Sequence, residues 1–291
     1  MRIWDVHCHF PRDWQKPDAP SEPLLEHLAE RAHAAGIRMS CLLSGGRWGK
    51  PHDESIKLLE PYLEVFLPVA MVDPETTPDA AVTELFEMGY RGLKLIGVQR
   101  DYDERDYFPM YAKAQELNMP VLFHLGVIGG AVDFLNKHPS RHPESAERLQ
   151  YARRFFAEGR DISARRMHPF HLDTLANNFP RLRVIGAHMG GTGNYDAAAS
   201  VVRWREHAYL DMSGGEIIER HMVERGMLGD ECPIEKLVWG SDCPADEIQE
   251  HVDRFERIFE EAKLTETQVE RLWWGNAAEI YSSEESSTAA K

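Results

Sequence analysis

The sequence predicts a (β/α)8 TIM barrel with an elaborated loop after its fifth strand. Three observations lead there. Eight short apolar runs alternate with stretches of helical spacing, the pattern of parallel strands joined by helices. A chain of 291 residues with 43% hydrophobic content has the size and the core of one such barrel. Four of the apolar runs end on histidine or aspartate, and barrels build their active sites at the C-terminal ends of their strands. A doubly wound open sheet is the rival fold. It would place a glycine-rich phosphate turn after the first strand, where this chain carries His7-Cys8-His9.

The first strand is the apolar, β-branched run at 3–9, and residues 11–23 read as a long loop. Helical spacing over 24–35 stops at Gly36, a usual C-terminal signal. A second strand over 38–43 is closed by Ser44-Gly45-Gly46, and a helix is expected over 54–62. The third strand is expected over 63–71, with Val72-Asp73-Pro74 as a turn, and a helix over 80–88 ending at Gly89. Residues 91–96 give a fourth strand carrying Lys94, 107–117 a helix, and 120–124 a fifth strand. The rhythm then breaks. Residues 126–168, rich in glycine, proline and basic side chains, are expected to form the elaborated active-site loop, with a helix over 147–158. Alternation resumes with helix 170–179 and strand 182–188, helix 195–206 and strand 208–213, then helix 216–225 and strand 237–242. An amphipathic helix over 246–262 and a short helix pair over 266–281 close the chain. Residues 1–281 are thus expected to form a single barrel domain, and the Ser/Glu-rich 282–291 a disordered tail.

A net charge of −15 argues against nucleic-acid or anionic-membrane partners, which require clustered positive charge. No apolar run approaches the roughly 20 residues needed to cross a bilayer, and the N-terminus lacks the basic and apolar regions of a signal peptide. The four cysteines are scattered without a C-x-x-C pair, which fits free thiols in a reducing compartment. The expectation is a cytoplasmic protein. Trp273 and Trp274 are compatible with a homodimer face and equally with a cap on the barrel base.

In a strand, alternate side chains share a face, so His7 and His9 project together and Cys8 opposes them. Histidine nitrogen and carboxylate oxygen suit a zinc-like ion, with a position left open for water. His7, His9, His124 and Asp242, from the first, fifth and eighth strands, would supply three nitrogens and one oxygen. A lone histidine is more often a satisfied core residue; convergence of several at one barrel mouth reverses that expectation. His188 reads as a further ligand, or as a group beside the bound water or the substrate carbonyl. Gly190 and Gly191 either admit a ligand close to the backbone or form a plain turn. Lys94 has three readings: a substrate-binding cation, a structural ion-pair partner, or a carboxylated bridge between two metals. Asp5 shares the parity of His7 and either orients a histidine or makes a structural bond. Arg47 and Arg165 stand where an anionic small molecule would enter, with Trp14 and Trp48 as an apolar wall or simple loop packing.

These residues identify a resemblance. The chain resembles the amidohydrolase-2 family of the amidohydrolase superfamily, which includes aminocarboxymuconate semialdehyde decarboxylase and related decarboxylases, hydratases and lactonases. The match rests on Asp5-Val6-His7-Cys8-His9, Gly92-Leu93-Lys94-Leu95, His124, and Phe179-Pro180-Arg181-Leu182 leading to His188-Met189-Gly190-Gly191. Gly240-Ser241-Asp242-Cys243-Pro244 and Gly275-Asn276-Ala277-Ala278 complete it. The resemblance implies a metal-dependent barrel in which His7, His9, His124 and Asp242 hold the ion and His188 acts beside the bound water; the ligand set itself suits Zn2+ first and tolerates Mn2+. Arg47 matches a substrate-binding arginine only loosely. The expected activity is hydrolysis of a small organic acid, amide or lactone, with Asp242 and His188 as the catalytic pair. Non-oxidative decarboxylation of an unsaturated or aromatic acid is the alternative, and a non-catalytic metal-binding barrel the third reading.

Overall fold

Eight parallel strands pair strictly in sequence order, β1 to β8, and roll the chain into a barrel. The computed structural model describes residues 1–12, 20–46, 50–128 and 162–282. The strands are β1 (Ile3–His9), β2 (Ile37–Ser44), β3 (Phe66–Val72), β4 (Leu93–Leu95), β5 (Val121–Phe123), β6 (Val184–Gly186), β7 (Ala208–Asp211) and β8 (Leu237–Val238). Each falls on one of the eight apolar runs. The helices between them are α1 (Glu22–Ala34), α2 (His52–Leu59), α3 (Asp79–Met88), α4 (Phe108–Glu116), α5 (Phe170–Asn178), α6 (Tyr195–Trp204), α7 (Glu216–Glu224) and α8 (Ile248–Glu261). Glycine ends α3 as expected: Gly89 takes φ +113, and its N–H returns to the carbonyls of Leu85 and Phe86.

Alternation along the strands separates two apolar layers. Val6, Leu43, Val69, Met71, Leu122, Ile185 and Val238 fill the barrel interior. Their neighbours Ile3, Leu42, Leu93, Leu95, Val121, Phe123, Leu210 and Leu237 pack outward against the helices. Lys94 lies between two outward leucines and is therefore carried inward, at 1% exposure.

The barrel closes at its shortest strand. The N–H of Val6 donates to Trp239 O (3.0 Å) and that of Asp242 to His7 O (2.7 Å). Asp5 reinforces this seam: Oδ1 accepts the N–H groups of His7 and Ser241 (2.9 Å each), and Oδ2 the Ser241 hydroxyl (2.6 Å). On the other edge of β1, its pairing with β2 shifts register between Asp5 and Cys8. Asn276 steadies β8 from below, its Nδ2 donating to Ile234 O and Leu237 O at 2.7 Å each.

The C-terminal pair is one continuous helical run rather than two separate helices. Five π-helical residues, Arg271–Gly275, join α9 (Glu266–Glu270) to α10 (Asn276–Tyr281). This run caps the barrel base. Trp273 is buried against Trp239 (5.2 Å) and Phe259 (5.1 Å), and Trp274 packs on Trp4 (5.0 Å) beneath Arg2. Among the described residues no helix is long and apolar enough to cross a membrane. The expected loop helix over 147–158, Trp14, Trp48, Arg47 and the tail from 283 lie outside the described residues.

Candidate metal centre

The histidines and aspartates predicted at the strand ends meet at one mouth of the barrel. Asp242 is the hub. Its Oδ1 lies 3.2 Å from His9 Nε2 and 3.6 Å from His7 Nε2, and its Oδ2 3.9 Å from His188 Nδ1. Ligand atoms of His7, His188 and Asp242 all fall within 4.8 Å of one another, so His188 completes that triplet. His124 joins through His188, with Nδ1 3.1 Å from His188 Nε2, while its own Nε2 faces Val127 O at 3.3 Å. Lys94 Nζ reaches His7 Nε2 at 3.3 Å. His9 is the exposed member at 42%; His7, His124 and His188 are buried.

Backbone geometry makes this convergence possible. His188 and Asp242 are non-glycine residues with positive φ, +61 and +46, which turns each side chain off its strand into the mouth. Gly240 lets β1 and β8 approach: a Cβ there would stand 2.7 Å from His7 Cβ. Gly191 serves chain packing, since its Cβ would meet Leu125 O at 2.7 Å. The plain turn is therefore the reading that fits this glycine.

Two residues absent from the sequence-derived set complete the cluster. Asp211, at the end of β7 and fully buried, accepts from His7 Nδ1 at 2.8 Å. Ser213 Oγ lies 3.0 Å from His188 Nδ1 and bonds to Asp211 Oδ1. Their signal is present in the chain: in Ala208-Tyr209-Leu210-Asp211-Met212-Ser213, polar groups fall on every second position of the seventh apolar run. Asp211 rather than Asp5 orients the His7 ring; Asp5 bonds to backbone and to Ser241. Arg165 is exposed on the 3-10 turn Ala164–Met167, and its described bonds, to Ser163 Oγ and from His171, are main-chain ones.

The electrostatics favour neutral rings around fixed charges. Burial, aided by the Lys94 charge, lowers His7 to about 4. Burial and the neighbouring His188 push His124 well below the usual histidine range, and burial lowers His188 too. Burial disfavours the charge on Asp242, but the neighbouring His7 and His9 outweigh it and hold the carboxyl well below its usual range. Burial likewise opposes the charge on Asp211, yet His7 keeps it ionised. Burial lowers Lys94 to about 8. Neutral imidazoles offer lone pairs, and among the described residues of the site the two ionised carboxylates, Asp211 and Asp242, outnumber the one lysine.

A family model described as amidohydrolase matches residues 4–282. The chain belongs to the amidohydrolase family. This metal-dependent family makes it an enzyme of hydrolase or carboxy-lyase type. No curated protein sequence matches it. Solved structures share the amidohydrolase fold at low identity. A probable 2-pyrone-4,6-dicarboxylic acid hydrolase from Acinetobacter baumannii, with citric acid bound, is 14% identical with a TM-score of 0.64, over 97% of this chain and 99% of that one. An amidohydrolase from Burkholderia multivorans with bound zinc is 17% identical at TM-score 0.63, over 97% and 99%. The 5-carboxyvanillate decarboxylase of Sphingomonas paucimobilis is 15% identical at TM-score 0.60, over 96% and 98%.

The His7–Asp242–His9 part of the donor set has the spacing a divalent ion needs. Two ligand atoms each about 2.1 Å from a tetrahedral ion stand about 3.4 Å apart. The Asp242 Oδ1 distances to His9 and His7, 3.2 and 3.6 Å, bracket that value. A cation would also offset the surplus negative charge.

Proposed function

We propose that this amidohydrolase hydrolyses a lactone or amide of a small organic acid, with Asp242 as the proton-handling residue. The carrying observation is the placement of Asp242: an ionised carboxylate within 4 Å of three imidazoles at the mouth of the barrel. His7, His9, His124 and Asp242 would hold the ion, zinc or manganese. When bound, such an ion polarises a carbonyl and makes water acidic enough to attack at neutral pH.

The protein's own groups then have defined tasks. Asp242 takes the proton of the attacking water and returns it to the leaving oxygen or nitrogen. His188, held at Nδ1 by Ser213, stands beside the attacking water and the substrate carbonyl. Lys94, buried and donating only to His7 among its described hydrogen bonds, grips a substrate carboxylate. Arg47 and Arg165 are proposed to help recruit the anion at the mouth. A barrel spanning residues 1–281 is taken as the working unit, a cytoplasmic enzyme acting on a small anionic molecule.

Lys94 also favours a second reading. A buried cation beside the metal centre can hold an unsaturated carboxylic acid for loss of CO2, with His188 supplying the proton. Incubation of the metal-loaded protein with lactones and aromatic acids separates the two. Ring-opened acid without CO2 supports hydrolysis, and CO2 from the aromatic acid replaces it with decarboxylation. Asp242→Asn turning over at the wild-type rate would overturn the role given to Asp242.

A further inference from the structure

Asp211 and Ser213 form a buried hydrogen-bonded unit in contact with two of the three buried histidines of this site. Asp211 Oδ2 faces His7 Nδ1 at 2.8 Å. Its Oδ1 accepts the N–H of Ser213 at 2.8 Å and of His188 at 3.3 Å, and it also meets the Ser213 hydroxyl. Ser213 Oγ in turn lies 3.0 Å from His188 Nδ1, whose Nε2 is 3.1 Å from His124 Nδ1.

Counting protons along this chain assigns His7 and His188, and for His124 the shorter of its two ring contacts, 3.1 Å against 3.3 Å, decides. A carboxylate only accepts, and a serine hydroxyl has a single proton to give. The Ser213 proton goes to Asp211, so Oγ is an acceptor and His188 Nδ1 must carry the hydrogen. His188 Nε2 is then a lone pair, and it accepts Nδ1–H from His124. On the other branch, His7 Nδ1–H donates to Asp211, leaving Nε2 as a lone pair. Lys94 checks this independently: an ammonium has donors only, and its Nζ reaches His7 Nε2 at 3.3 Å. His124 Nε2 is left as a lone pair 3.3 Å from the Val127 carbonyl oxygen. Two acceptors so placed need a cation or a donor between them. The reverse assignment requires a proton on Asp211, a carboxylate that already faces three other donors, His7 Nδ1 and the N–H groups of Ser213 and His188.

We propose that Asp211, acting directly on His7 and through Ser213 on His188 and His124, is a positioning residue that sets one tautomer, Nδ1–H, in all three buried histidines. Nε2 of His7 and His124 is thereby left free as a ligand, and Nε2 of His188 as an acceptor. The inference rests on this mouth being the metal centre, and its test requires neither turnover nor substrate.

The test is nitrogen NMR on the full-length protein labelled with 15N-histidine, stripped of metal and then titrated with zinc, the three rings being assigned by single His→Gln variants. The metal-free protein should show His7, His124 and His188 as Nδ1–H tautomers. Ser213→Ala should move His188 toward the Nε2–H form while His7 keeps its own, and Ser213→Thr should restore His188. Asp211→Asn should disturb both rings and weaken zinc binding about 10- to 100-fold in chelator competition. An Nε2–H ring at His188 or His7 in the wild type would overturn the proposal, as would an unchanged His188 in Ser213→Ala. Correct tautomers in a protein with no hydrolytic activity would refute the proposed reaction and leave this inference standing.

Discussion

Gly240→Ala tests how far the metal centre depends on the barrel seam. Gly240 lies between β8 and Asp242, and an added Cβ would stand 2.7 Å from His7 Cβ. Ordinary carbon contacts begin near 3.4 Å. The two strands must therefore part by about 0.7 Å, or His7 must turn away. Neither is free, because Val6 N–H to Trp239 O and Asp242 N–H to His7 O tie the strands on both sides of this point. Overpacking of this kind costs about 1–3 kcal/mol, or roughly 2–10 °C in Tm for a domain of this size. The displacement falls on the 3.6 Å spacing between His7 and Asp242, so the effect on the site should exceed that on stability. Misplacement approaching 1 Å costs about 100-fold in rate. Thermal unfolding with zinc content and turnover on the same preparation provides the assay. A Gly240→Ala variant with wild-type Tm and wild-type metal content would refute the claim that the seam sets the ligand spacing.

Five further outcomes follow from the same geometry. Asp242→Asn should retain part of the metal and lose about 100- to 10,000-fold in kcat, the range of a general acid–base contribution, read by steady-state kinetics beside elemental analysis. Lys94→Met should raise KM for an anionic substrate about 10- to 100-fold, the worth of a hydrogen bond to a charged group, with metal content unchanged. The same substitution should stabilise the metal-free protein. Burial lowers Lys94 from its ordinary 10.5 to about 8, so the penalty for its charge is fully present below pH 8 and gone above 10.5. The stabilisation, on the order of 3 kcal/mol, should thus be largest below pH 8 and fade as the pH rises, as measured by urea unfolding from pH 7 to 10.5. Asn276→Leu leaves the carbonyls of Ile234 and Leu237 without their donor and should cost about 2–4 kcal/mol in chemical unfolding. Chelation should lower Tm by roughly 5–10 °C if the ion is present at about 100 times its dissociation constant.

Much of this molecule is legible in its sequence, for identifiable reasons. Eight apolar runs gave eight strands because parallel strands buried on both faces need continuous apolar sequence. Period-two alternation carried Leu122 and His124 to the inner face. The residues that escaped are those whose role depends on contacts between distant strands. Asp211 meets His7 across 204 residues of sequence, and a single carboxylate at the end of a strand carries no mark of that pairing. Of the two readings of Asp5, the structural bond is the one the structure makes, to Ser241 across the seam. His188 reaches the centre through a left-handed φ that alternation does not anticipate. The C-terminal helix pair proved continuous because a π-turn accommodates Leu272 and Trp273 facing the core without a break.

The most direct test of the account is elemental analysis of the purified protein beside the double variant His7→Ala/His9→Ala. The account predicts about one zinc or manganese ion per wild-type chain and loss of that ion in the variant. Wild-type protein that takes up no divalent metal even after reconstitution, or a variant that retains it, would contradict the claim that these strand ends form a metal centre.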